Sequence, residues 1–214
     1  MENKNPIIEN IFPTPICRIK IPKHFTSIIP CLERFAHLNP SDANQTYGSR
    51  SKNSYILEDK DLIEFKNYIL SQVSNYATQI LNLSNQTYKI TQSWISYKHP
   101  NQHHHAHTHP NSIISGVFFW ENPFNSHSQI SFTKITSNNT WSLLPNNSNK
   151  NIYNPNFTNQ VSFTPEPGNL ILFPSYLPHE VSINKTSSIR KSMSFNTIPL
   201  VLGNEIELTE LKFN

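Results

Sequence analysis

The chain has 214 residues, of which 36% are hydrophobic and 11% aromatic, so it can bury one core and we expect a single domain over residues 1–214. The net charge of +3 is dispersed without a basic run, and we expect no specific nucleic-acid partner. The N-terminus lacks the apolar core of a signal peptide, no stretch approaches membrane-spanning length, and Cys17 and Cys31 lack CxxC spacing. These features predict a cytoplasmic protein with free thiols.

The first 87 residues predict a strand followed by helices. Residues 11–21 resemble a short strand interrupted by prolines, and residues 27–37 a helix that ends at Asn39-Pro40-Ser41. A second helix follows Leu57, with acidic residues in its first turn. Its apolar residues recur at helical spacing and predict a packing helix: Leu62, Phe65, Ile69, Val73, Tyr76 and Ile80.

From Tyr88 onward the pattern changes to strands and turns. The predicted strands are residues 90–97, 113–121, 129–133, 160–163, 169–173, 180–184 and 189–198. Helices followed by a strand-rich body favour a β-sandwich buttressed on one face, with a barrel core over 88–200 and a tail over 201–214. Residues 137–159, rich in Asn, Ser and Pro, predict a long loop over the barrel mouth.

Five of the ten histidines lie within residues 103–109, immediately before an apolar run. In extended backbone, side chains two apart share a face, so His107 and His109 can chelate one ion. The pairs His103/His105 and His105/His107 have the same spacing, which therefore does not select one pair. A solvated loop that scavenges metals is the alternative.

A second polar pattern lies near the C-terminus. Residues 184–188 predict a turn between the last two strands, and a hairpin there would bring His179 roughly opposite Ser192. Arg190, Ser192, Ser194 and Asn196 would then share the face turned to the lumen, with Met193 and Phe195 on the other face. A buried Arg needs an anion, which is either an internal carboxylate or a carboxylate ligand held by two hydrogen bonds.

Three stretches, in this order, resemble one known family. They are HTHPNSIISGVFF (107–119), PGNLILFPSYLPH (167–179) and RKSMSFN (190–196), and IFPTP (11–15) resembles the start of the same family. The family is that of the iron(II)/2-oxoglutarate oxygenases found in marine bacteria and phages.

The resemblance implies a mainly β fold, the double-stranded β-helix or jelly roll, which holds iron(II) and 2-oxoglutarate in its lumen. It implies His107, His109 and His179 as metal ligands, and Arg190, with Ser192 beside it, as the residue that pairs with the distal carboxylate of 2-oxoglutarate. Asn196 and Tyr97 are further candidates for this lumen, although Tyr97 also fits an ordinary strand aromatic. The expected reaction hydroxylates an unidentified small-molecule or peptide substrate and releases succinate and CO2.

One position departs from the wider superfamily. His109 stands where Asp or Glu usually completes the two-His-one-carboxylate triad, so three neutral imidazoles would leave the iron one unit more positive. The alternatives are a cupin-type dioxygenase or isomerase independent of 2-oxoglutarate, and a non-catalytic metal- or ligand-binding jelly roll. We assign Trp94 and Trp120 to core packing. The remaining histidines of this region are expected to be solvated: His99, His103, His104, His105 and His127.

Overall fold

The computed structural model describes residues 13–36, 46–83, 86–121, 129–135, 159–204 and 208–213. Its elements in chain order are β1 (Cys17–Lys20), α1 (Ile29–Phe35), β2 (Ser49–Arg50), α2 (Ile63–Asn75), β3 (Tyr88–Lys98), β4 (His104–His107), β5 (Ile114–Phe119), β6 (Ile130–Thr133), β7 (Gln160–Phe163), β8 (Asn169–Pro174), β9 (His179–Val181), β10 (Arg190–Pro199), β11 (Val201–Asn204) and β12 (Leu208–Lys212). A 3-10 helix, Lys23–Ile28, leads into α1, and a π-helical turn, Tyr76–Ile80, ends α2.

Two antiparallel sheets face each other. The larger has the order β1-β8-β5-β10-β3-β2 and the smaller β4-β9-β6-β7. Sheet neighbours far apart in sequence, such as β10 between β3 and β5, are typical of a jelly roll, and the predicted fold class is confirmed. Strands β5 and β8 are almost wholly buried because the helices cover one face of the larger sheet and the smaller sheet covers the other.

Side-chain alternation divides the core into two clusters. Phe118, Met193 and Phe195 pack with α1 and α2, whereas Val117 and Phe119 pack between the two sheets. The apolar stripe of α2 is buried as predicted, except that Ile80 is 52% exposed. The wider π-helical turn at the end of α2 changes the rotation per residue, so Ile80 no longer follows the buried face.

The hairpin predicted at residues 184–188 is wrong. β9 pairs with β4 and β6, whereas β10 pairs with β3 and β5, so the segment carries the chain from the smaller sheet to the larger. The buried Asn184 holds this crossing: its Nδ2 donates to the carbonyl of Lys98 at 2.9 Å, and its backbone N–H donates to the carbonyl of Gln102 at 2.8 Å. Turn residues alone could not distinguish a crossing from a hairpin.

Two further predictions concern segments outside the central strands. The predicted tail at 201–214 contains the antiparallel pair β11 and β12. Of the loop predicted at 137–159, only residue 159 is among the described residues. The last residue of the helix predicted at 27–37 and the first two residues of the strand predicted at 11–21 also lie outside them.

Substitution of Gly116 by alanine is expected to destabilise the fold. A Cβ at Gly116 would lie 2.2 Å from Cζ of Phe195 and 2.9 Å from Cδ2 of Leu172, both fully buried. Overpacking of this kind costs about 1–3 kcal/mol of unfolding free energy, which urea denaturation measures. Combining Gly116→Ala with Phe195→Leu should recover part of the loss, and simple additivity of the two changes would contradict the proposed clash.

Candidate metal centre

Three histidines from two distant segments converge inside the sandwich. His107 ends β4, His109 follows two residues later, and His179 begins β9, directly opposite His107 in the β4–β9 pairing. One ring nitrogen from each lies within 4.8 Å of the others. His179 is buried and the other two are half-buried. The structure therefore selects the His107/His109 pair among the three that spacing left open.

Backbone hydrogen bonds fix the protonation pattern of two of these rings. His107 Nδ1 lies 2.8 Å from the carbonyl oxygen of His105, and His179 Nδ1 lies 3.0 Å from that of Leu177. A carbonyl only accepts, so each Nδ1 carries the hydrogen and each Nε2 keeps a lone pair. This is the outer hydrogen bond that metal-binding histidines commonly make.

The distance between two ring nitrogens also fits an ion. His109 Nε2 lies 3.1 Å from His179 Nε2, and two adjacent ligands at about 2.1 Å from an octahedral ion would stand about 3 Å apart. Because Nε2 of His179 has a lone pair that points at Nε2 of His109, a proton or a cation must lie between the two nitrogens. A ring nitrogen of His107 lies within 4.8 Å of both. The three nitrogens therefore fit a divalent metal ion that they would bind from one side.

Burial keeps the three imidazoles neutral. Desolvation lowers the pKa of His109 to about 4 and that of His179 to about 3, and it also lowers the pKa of His107. The positive form of each neighbouring histidine would add to this effect. Because only a neutral imidazole can ligate a metal, the site is ready to bind one at neutral pH.

Acidification of the metal-free protein is expected to lower its stability below pH about 6.5. The buried His179 has a pKa near 3 when folded against 6.5 as the ordinary value, so the unfolded chain takes up the proton first. Its stabilising contribution is present above pH 6.5 and is lost, by about 1.4 kcal/mol per pH unit, as the pH falls toward 3. Urea unfolding at pH 4.5–7.5 measures this slope, and His179→Gln should reduce it. An unchanged slope in that variant would contradict the assignment.

His104 is a lumen residue that the sequence interpretation placed in solvent. Its ring stacks on that of His107 with centroids 4.1 Å apart, and burial lowers its pKa strongly. The β4–β9 pairing contains a bulge: His104 lies opposite Val181 and His107 opposite His179, so three residue steps on β4 match two on β9. The extra residue turns the side chains of His104 and His107 to the same face. Of the other predicted solvated histidines, His105 is exposed, His99 and His103 are half-buried, and His127 lies outside the described residues.

A buried cation lies on the wall of the same lumen. Arg190 is 3% exposed, and its Nη2 donates to the carbonyl of Ser182 at 2.9 Å. Burial lowers its pKa to about 10, so it stays charged at neutral pH. Arg190, Ser192 and Ser194 line a narrow inner cavity of about 40 Å³ together with the three histidines. The polar row predicted for β10 therefore faces the lumen.

The remaining predicted site residues occupy different places. Asn196 is buried beside the lumen, where its Oδ1 accepts from Ser115 Oγ at 2.9 Å. Tyr97 belongs to the core cluster on the helical side, because alternation along β3 turns Lys98 and Ser96 to the lumen instead. Tyr97 therefore packs as a strand aromatic, and it also lines the open cleft that contains His107 and His109.

One assignment from sequence needs revision at this site, and Ser175 adds a residue that the sequence did not point to. Trp120 lies in the core as predicted, but Trp94 lines the lumen with its ring centroid 6.0 Å from that of His109. Ser175 supports His109, because its carbonyl accepts from the His109 backbone N–H at 2.9 Å. Its Oγ also lies 2.8 Å from Ser115 Oγ, so the network reaches Asn196 through Ser115.

A second group of potential ligands, Cys31, Asp59 and Asp61, lies near α1. Arg34 already occupies it, because its Nη2 lies 2.7 Å from Asp61 Oδ2 and 2.8 Å from the Cys31 sulfur. The three histidines are therefore the better metal site among the described residues.

A jelly roll whose lumen contains three converging imidazoles and a buried Arg has the arrangement of a mononuclear non-haem metal protein. Residues 92–196 match the family described as "Putative 2OG-Fe(II) oxygenase", and this segment contains all three histidines and Arg190. Through this segment the chain is similar to the iron(II)/2-oxoglutarate-dependent oxygenases, a family whose cofactors are Fe(II) and 2-oxoglutarate.

Solved structures share the fold at low sequence identity. A prolyl-4-hydroxylase from Pseudomonas putida is 15% identical, with a TM-score of 0.57 over 86% of this chain and 92% of that one. A prolyl hydroxylase from Trichoplax adhaerens, in complex with a hypoxia inducible factor peptide, is 14% identical, with a TM-score of 0.54 over 85% and 82%. The epimerase SnoN with Fe3+, alpha ketoglutarate and nogalamycin RO is 10% identical, with a TM-score of 0.59 over 87% and 80%.

A search among proteins of curated function found no significant match. Within the described part of the chain, neither helix combines the length and the apolar character that crossing a bilayer requires.

Proposed function

We propose that this protein hydroxylates a C–H bond of its substrate. One oxygen atom of O2 would enter the substrate and the other would enter succinate, while the first carboxyl group of 2-oxoglutarate leaves as CO2. The observation that carries this proposal is the convergence of His107, His109 and His179 in a lumen that also contains the buried Arg190. Bound iron(II) would supply the activation of oxygen.

His107, His109 and His179 are the proposed metal ligands. The two backbone carbonyls that accept from His107 and His179 orient these rings and increase their basicity. Three ligands on one face leave positions for a chelating keto acid and for oxygen. The third imidazole leaves a higher positive charge at the centre than a carboxylate would, which favours binding of the anionic co-substrate.

Arg190 is the proposed partner of the distal carboxylate of 2-oxoglutarate, with Ser192 as a hydroxyl donor beside it. A guanidinium can donate two parallel hydrogen bonds to one carboxylate, and burial strengthens that interaction. The backbone bond to Ser182 holds the guanidinium in the lumen before the co-substrate arrives. These residues orient the keto acid and exclude water from its chain. We propose that Asn196 acts less directly, through Ser115 and the network behind His109.

We further propose that residues 1–214 act as one domain in the cytoplasm. The larger core cluster supports the first point, since it unites residues from Ile21 to Phe195. The free thiols of Cys17 and Cys31 support a reducing compartment.

Anaerobic absorption spectroscopy of the iron(II)-loaded protein tests the proposed function. Addition of 2-oxoglutarate should produce a visible charge-transfer band, because a keto acid that chelates iron(II) accepts charge from it. Succinate, which cannot chelate in the same way, is the matched control. Iron that binds without a band would contradict the 2-oxoglutarate reaction and favour a cupin-type reaction or metal binding alone.

A further inference from the structure

A large open cleft lies beside the metal centre. Its volume is about 960 Å³, within the usual range for small-molecule sites, whereas the inner cavity at Arg190 is far smaller. The cleft and the inner cavity share His107, His109, Trp94 and Lys98 as wall residues, whereas His179 lines only the inner cavity. A molecule in the cleft would thus lie next to His107 and His109 without occupying the inner cavity at Arg190.

Lys98 is the unusual residue of this cleft. Its side chain is 6% exposed, and its only hydrogen bond among the described residues is a long one of 3.5 Å to the carbonyl of Tyr97. No carboxylate oxygen of the described residues lies within 4 Å of its Nζ. A buried ammonium group without a counter-ion is costly, so the position calls for an anion.

The packing of Lys98 shows where that anion would lie. A Cβ built on Gly48 would lie 2.9 Å from Nζ and 2.3 Å from Cδ of Lys98, so the side chain runs under the turn at Gly48. Gly48 lines the outer cleft and not the inner cavity, whereas Arg190 lines only the inner cavity. The ammonium group therefore lies at the boundary of the two spaces, under the cleft turn at Gly48 and close enough to its cross-strand partner Arg190 to be repelled by that charge.

The other charged residues that line the cleft are also positive. Arg50 and Lys52 stand at the exposed rim, and none of the described residues that line the cleft is Asp or Glu. Aromatic rings accompany the cations: Tyr47 and Tyr55 are more than half exposed, and Trp94 is buried near His109. The cleft therefore offers positive charge at its floor and rim together with flat apolar surfaces.

We propose that this cleft binds a small anionic substrate whose carboxylate or phosphate group pairs with Lys98 and whose flat apolar part contacts the aromatic wall. The proposal rests on the proposed function, since it assigns the substrate side of the same metal centre. Arg50 and Lys52 would draw the anion to the cleft, and Lys98 would position it beside the histidines. Lys98 is thus a specificity residue, separate from the co-substrate residue Arg190.

Isothermal titration calorimetry on the nickel-loaded, 2-oxoglutarate-saturated protein tests this proposal. The probes are phenyl phosphate, phenylacetate and the neutral 2-phenylacetamide. At least one anion should bind ten or more times tighter than the amide, and comparison of the two anions separates a phosphate site from a carboxylate site. Lys98→Met should remove this preference while changing the Kd of 2-oxoglutarate less than threefold.

The matched control is Lys89→Met, which removes an exposed lysine from the same strand and should change nothing. Arg50→Gln combined with Lys52→Gln changes only exposed residues and should weaken anion binding several-fold. Equal binding of amide and anions by the wild type would overturn the proposal, as would a Lys98→Met variant that loses 2-oxoglutarate and keeps the anions.

The two proposals can fail separately. If iron and 2-oxoglutarate give no charge-transfer band, the proposed reaction fails. The same probes titrated into metal-free Arg190→Met protein, in which the inner cation is absent, would still decide whether Lys98 binds an anion.

Discussion

Replacing His179 with alanine is expected to abolish the iron(II)–2-oxoglutarate charge-transfer band and turnover. The imidazole is buried, its Nε2 lies 3.1 Å from that of His109, and its removal would leave two half-buried ligands. Loss of one of three protein ligands should lower iron affinity by at least about 100-fold, a larger effect than the 10–100-fold typical of outer-shell changes. Iron content after dialysis and the absorption band measure the two parts of this prediction.

Two variants test whether the effect belongs to ligation. His104→Gln changes a ring that stacks on His107 but lies outside the group of three, and it should keep the band. His109→Asp would create the two-His-one-carboxylate set and should retain iron while shifting the band, because the carboxylate lowers the charge at the metal. Full iron binding and an unchanged band in His179→Ala would exclude His179 as a ligand.

Replacing Arg190 with methionine is expected to weaken 2-oxoglutarate binding by about 2–4 kcal/mol, roughly 30- to 1000-fold in Kd. The side chain is 3% exposed, so the carboxylate would lose a desolvated, charge-assisted partner and remain buried. Titration of the charge-transfer band with 2-oxoglutarate measures the change.

The co-substrate analogue 2-oxobutyrate makes this test specific. It keeps the keto acid that chelates iron but lacks the distal carboxylate, so its affinity should fall little in Arg190→Met. Ser192→Ala, on the same strand face, should cost about 1 kcal/mol, the usual effect of one hydrogen bond. Equal losses for both keto acids would assign Arg190 a structural role instead.

Much of the candidate site follows from local sequence. Period-two alternation in residues 190–196 placed Arg190 and Ser192 on one face and Phe195 on the other, and the structure has this arrangement. The helical spacing of α2 identified its buried stripe for the same reason: each depends on the backbone geometry of one segment. The resemblance to the oxygenase family then pointed to His107, His109 and His179 together.

Other features depended on how distant segments pack. Spacing allowed several histidine pairs, and only the pairing of β4 with β9 placed His107 opposite His179. A bulge in that pairing, which sequence alternation does not show, turned His104 into the lumen. The turn at 184–188 has hairpin composition, but the hydrogen bonds of Asn184 to Lys98 and Gln102 make it a crossing between sheets.

Lys98 illustrates the difference most clearly. In the sequence it is an ordinary lysine at the end of a strand, and Tyr97 was the more conspicuous candidate beside it. The alternation of β3 and the turn at Gly48 bury the ammonium group in the wall between the cleft and the inner cavity. The sequence by itself determined the strands, their faces and the metal-binding residue types, because these depend on near neighbours. The tertiary structure decided which histidines meet and which cations are buried, because burial depends on contacts between residues far apart in the chain.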